Sequence, residues 1–91
     1  RSDIKIKKDI ENLADNHSDK LDRLVHKSYK FKNDGLEHFG FIAQDVEKEF
    51  PNLVSTDMEG LKSVNYLEMI PLLLHKINDL ERKLEEIKNN K

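Results

Sequence analysis

The chain has 91 residues, 37% of them charged and 36% hydrophobic, which allows one small domain with a modest core of its own. It has no cysteine, which excludes disulfide staples and thiolate metal centres. No apolar run approaches the ~20 residues of a membrane-spanning helix, and no signal peptide is visible. With the staple gone, oligomerisation is the expected remedy for a small core. The chain opens on Arg1 rather than Met, from which a fragment or a processed product is expected.

The net charge of −2 hides an asymmetry. Residues 1–32 carry nine Lys/Arg against six Asp/Glu, and residues 33–91 carry seven against twelve. Phosphate backbones are bound by an unopposed basic stripe, so a basic segment diluted with acids argues against nucleic acid as a partner.

Taken in chain order, Ile4 and Ile6 alternate with lysines and predict an extended start, whereas Ile10, Leu13 and Ala14 fall on one helical face. Asp15-Asn16-His17-Ser18 reads as a turn cluster. Asn16 or Ser18 is placed to cap a short helix with Leu21, Leu24 and Val25 inward. Ser28 to Lys32 and His38 to Ala43 predict two strands joined at Asn33-Asp34-Gly35. The aromatics Tyr29, Phe31, Phe39 and Phe41 are expected in the core. Asp45 to Phe50 predicts a short helix ended by Pro51. Leu53 to Ser55 and Lys62 to Val64 predict a second hairpin around Asp57-Met58-Glu59-Gly60. Asn65 and Glu68 have the spacing of a capping box, and Pro71 is expected to kink or delay the helix that follows.

That last helix has the cleanest periodicity in the chain. Ile70, Ile77 and Leu84 fall at a positions of a heptad, and Leu73, Leu80 and Ile87 at d positions. A stripe this narrow is a coiled-coil seam, and mixed Ile and Leu at both positions leans toward three or more strands.

Few residues could carry chemistry. The four histidines show no metal-ligand spacing, and Lys62 occupies the glycine position of a would-be calcium loop from Asp57 to Glu68. No glycine-rich phosphate cradle is present, so neither metal nor cofactor is expected. Ser2 and Lys7 remain. A serine hydroxyl reacts once a base takes its proton, and lysine serves as that base when burial or neighbouring cations favour its neutral form. Extended alternation sets Ser2 and Lys7 on opposite sides, so their meeting requires a bend or a second subunit. Gly40 in a strand suggests a close approach of backbone, Ala43 a tight packing site, and Gln44 a cap on free backbone groups, with contact to the dyad or the upstream segment as the alternative. Tyr66 is expected at the base of the helix with its hydroxyl seeking a partner.

Ser2 to Ile10, then Gly40-Phe41-Ile42-Ala43-Gln44-Asp45-Val46-Glu47-Lys48 with Phe50-Pro51, then Lys62 to Tyr66 with Ile70-Pro71-Leu72-Leu73 form three ordered blocks. Together they resemble the endosialidase-type intramolecular chaperone domain of phage tailspikes and tail fibres, copies of which also occur in large-virus proteins and in the myelin regulatory factor. The resemblance implies an α+β fold, with short helices and small hairpins packed at the base of a long helix that forms a trimeric coiled coil. It implies a cleavage segment over 1–10, a body over 11–66 and a coiled-coil helix over 67–91. It further implies a homotrimer that registers an upstream fibrous segment of the same polypeptide. Release would follow by Ser2–Lys7 autoproteolysis, expected at Ser2–Asp3, in a viral structural protein assembled in the host cytoplasm. The alternative is a structural trimerisation domain that never cuts. Neither nucleic acid nor membrane is an expected partner.

Overall fold

The computed structural model describes residues 1–90 and has an α+β architecture, with short helices and two separate hairpins at the base of one long helix. Strand β1 (Lys27–Lys30) pairs antiparallel with β2 (Glu37–Gly40), Ser28 lying opposite Phe39 and Tyr29 opposite His38. The turn forms where Asp34-Gly35 predicted it. Gly35 takes a φ of 68°, which costs a residue without Cβ little, and the Asp34 carboxylate accepts the Leu36 N–H. Strand β3 (Val54–Thr56) pairs with β4 (Lys62–Val64), and one oxygen of Asp57 accepts the N–H groups of both Glu59 and Leu61 to close that loop.

The core is built from few side chains. Leu24, Val46, Phe50, Leu53, Met69 and Leu72 are buried, with Leu21, Phe41, Val54 and Val64 at the edge. Helix α2 (Ala43–Glu49) contributes Val46, which is fully buried. Pro51 ends this helix as expected and also opens a 3₁₀ turn, Pro51–Leu53, because its fixed φ suits a first helical position.

Four expectations about residues 4–25 are corrected by the structure. Ile4–Ile6 form a 3₁₀ turn, not an extended segment, and Asp3 caps it by accepting the Lys5 N–H at 2.9 Å. Ile10, Leu13 and Ala14 make no helical face, since Asp9 sits at φ 54° and interrupts any helix there. The turn cluster itself is helical: α1 (Asp15–Asp19) runs into a 3₁₀ turn, Lys20–Arg23. Ser18 is fully buried inside α1, and its hydroxyl donates back to the Asp15 carbonyl at 3.1 Å, so the burial leaves no unpaired group. Leu24 has extended backbone, which turns Val25 away from the core and leaves it exposed.

Of the aromatics expected in the core, Phe41 packs at its edge, while Tyr29, Phe31 and Phe39 do not join it. Phe39 is 78% exposed and Phe31 51%, while Tyr29 and Phe31 pack edge to face at 5.3 Å and His38 lies 4.7 Å from Phe31. A two-stranded ribbon with no layer over it packs its side chains on one another.

Helix α3 (Met69–Asn89) follows a 3₁₀ turn at Tyr66–Glu68. Pro71 lies in its first turn, where a backbone N–H has no intrahelical partner, and the helix continues through it. Asn65 and Glu68 do meet, side chain to side chain at 2.9 Å, but the backbone bonds of a capping box are not made. Of the expected 67–91 segment, Lys91 lies outside the described residues.

Candidate functional site

The N-terminal arm, residues 1–14, is exposed along its whole length. Within it the 3₁₀ turn at Ile4–Ile6 supplies the bend that alternation lacks, and Lys7 Nζ donates to Ser2 Oγ at 2.9 Å. A serine hydroxyl and a lysine amine at this separation can exchange a proton directly, in whichever direction their charge states allow. The same turn leaves Ile4 and Ile6 exposed beside them.

Helix α3 divides into two faces. Met69, Leu72 and Asp79 are buried against the body of their own chain. The six heptad residues Ile70, Leu73, Ile77, Leu80, Leu84 and Ile87 are between 50% and 63% exposed and form an uncovered apolar stripe. Packing of the chain on itself therefore uses the side of α3 away from this stripe.

The inward side is polar toward its middle. His75 meets Asp15 at 2.8 Å, and Lys76 meets Asp22 at 3.0 Å, tying α1 and its 3₁₀ extension to α3. The Asp79 side chain is 5% exposed and pairs with Lys83 at 3.1 Å and with Arg82. The hydrogen bond from Lys83, joined by the charges of Lys83 and Arg82, holds the Asp79 carboxyl below the usual range against the opposing effect of burial. The sequence reading did not single out Asp79. Arg82 and Lys83, three and four residues on, were the available signal.

The motif residues Gly40, Ala43, Gln44, Pro51 and Tyr66 surround the junction of β2 and α2. A Cβ at Gly40 would lie 2.6 Å from the Tyr66 hydroxyl, so the expected close approach is to that phenol. The Tyr66 oxygen accepts the Phe41 N–H at 2.9 Å, and the two rings stack at 6.2 Å. Ala43 is half-buried. Gln44 is exposed and does not cap: Ile42 occupies the N-cap position of α2, with no side-chain hydrogen bond there. Its side chain instead lines a groove of about 330 Å³ with Tyr29, Phe31, Phe41, Lys62 and Tyr66. Among the described residues no group of three or more His, Asp or Glu is arranged to hold a metal ion.

A family model described as the chaperone of endosialidase matches residues 2–55, more than half of the chain. The chain belongs to the chaperone-of-endosialidase family. This family is classed with the peptidases, as a serine peptidase-type autoprocessing domain. The match takes in the arm with Ser2 and Lys7, the first hairpin, α2 and Pro51, and ends at Ser55, before β4, Tyr66 and α3. No curated protein matches the chain.

Proposed function

We propose that this chaperone domain trimerises along Ile70, Leu73, Ile77, Leu80, Leu84 and Ile87, registers an upstream fibrous segment of its own polypeptide, and is then cut free by Ser2 and Lys7. Residues 1–10 act as the cleavage segment, 11–66 as the body and 67–91 as the assembling helix. The observation that carries the reading is the 2.9 Å contact of Lys7 Nζ with Ser2 Oγ inside the segment that matches the family. The open seam on α3 supports the oligomeric part. Joining three copies raises the effective concentration of the chains they carry, and cutting the link afterwards makes the assembly irreversible.

In the cutting step, neutral Lys7 takes the hydroxyl proton and Ser2 Oγ bonds to the carbonyl carbon of the Ser2–Asp3 peptide. The oxyanion collapses to an ester as the Asp3 amine leaves with that proton, and water hydrolyses the ester. A serine attacking its own carbonyl closes a strained four-membered ring, so the carbonyl attacked belongs to a neighbouring subunit.

The test uses the chain joined to its upstream sequence. Ser2→Ala and Lys7→Ala are expected to give intact trimers that stay uncut, read by sedimentation and mass spectrometry. Normal processing of both variants overturns the assignment.

A further inference from the structure

The arm and the groove beside Gln44 fit one another. Ser2 and Lys7 are exposed in the single chain, and a reaction that creates an oxyanion gains most where water is excluded and a donor is already aimed. The arm itself supplies neither condition. Ile4, Ile6 and Ile10 are all more than half exposed, and the left-handed Asp9 interrupts the arm. Gln44, in contrast, has a side-chain amide that donates to no partner among the described residues, set in an aromatic groove.

We propose that this groove receives the arm of a second copy, and that the Gln44 amide donates a hydrogen bond to the oxyanion formed as that arm is cut. The inference rests on the trimeric, self-cleaving reading above. Three observations select the occupant. Residues 1–8 hold Arg1, Lys5, Lys7 and Lys8 against Asp3 alone, while Asp45, next to Gln44 in sequence, is exposed and in no ion pair among the described residues. Tyr29 and Phe31 offer aromatic faces that attract ammonium groups and apolar surface that suits Ile4 and Ile6. The groove is also continuous in sequence with the seam: its wall residues Val64 and Tyr66 lead through exposed Leu67 to Ile70. The groove wall is thus joined by a few residues to the base of the heptad face. Lys62, the charged residue of the groove lining, is paired with Glu47 at 3.2 Å, so these two charges offset one another.

The absence of cysteine makes a clean test available. Ile6→Cys and Gln44→Cys, placed together in a Ser2→Ala chain that retains its upstream sequence, are expected to give disulfides between chains, seen as covalent oligomers after denaturation. Trimers that form these disulfides only within one chain, or not at all, overturn the inference and leave the trimer reading standing. A monomer in sedimentation overturns the trimer reading itself.

The chemical part is read separately. Gln44→Ala trimers are expected to cut about 10²–10³-fold more slowly, the usual cost of removing one oxyanion donor. In trimers mixed from Gln44→Ala chains and parent chains, part of the Gln44→Ala arms should be cut at the parent rate, since the parent chains supply both Gln44 and Ser2. An unchanged rate in Gln44→Ala trimers overturns the donor role.

Discussion

Substituting Gly40 brings a methyl group against the Tyr66 phenol, which already accepts the Phe41 N–H. Gly40→Ala is expected to push the phenol aside and cost about 1 kcal/mol through that hydrogen bond. Tyr66→Phe loses the same bond, so the double variant should be less destabilised than the sum of the two, as chemical denaturation of all three will reveal. Both residues were legible in the sequence as a close approach and as a hydroxyl seeking a partner. Their pairing was not, because only the folded chain brings β2 against the turn before α3. The reading of Gln44 as a cap failed for a related reason. Its place near a helix start suggested a cap, but the first turn of α2 is entered from Ile42 and the amide is left facing a groove.

At the level of elements, α3 is the best case of a legible pattern and α1 the poorest. The three-four spacing marked a face of α3 that the chain leaves exposed, and the two hairpins stand where alternation and Asp-Gly or Glu-Gly turns put them. Helix α1 consists of Asp-Asn-His-Ser-Asp, which has no apolar stripe and little intrinsic helicity. It is held from outside, by the pairing of Asp15 with His75 and by the burial of Ser18, neither of which a local window contains. Asp79 belongs to the same interface. Its carboxyl lies below the usual range when folded, so its stabilising effect is complete above the unfolded value of about 4 and is lost as pH falls through the lower folded value. Asp79→Asn should therefore lower stability at neutral pH and flatten the acid side of a melting-temperature profile. A profile of unchanged shape would show that the pair with Lys83 contributes nothing to holding the helix.

For the whole molecule, the small core and the open seam are two aspects of one shortage. Six core side chains are buried, while six heptad residues of similar size lie exposed on a single helix. Stability gained by covering that seam depends on protein concentration, since association stabilises the folded form by mass action. Ile77→Lys is expected to give particles of subunit mass in sedimentation and a melting temperature independent of concentration. The buried cluster around Val46 should be untouched, because Ile77 lies outside it. If Ile77→Lys assembles like the parent chain, the seam lies elsewhere. One further consequence follows from the end of α3. Every residue from Leu80 to Asn89 is exposed, and a lone helix of that length is marginal in water. In the proposed assembly those last turns find apolar partners only in neighbouring copies, so their resistance to fraying would count the copies present.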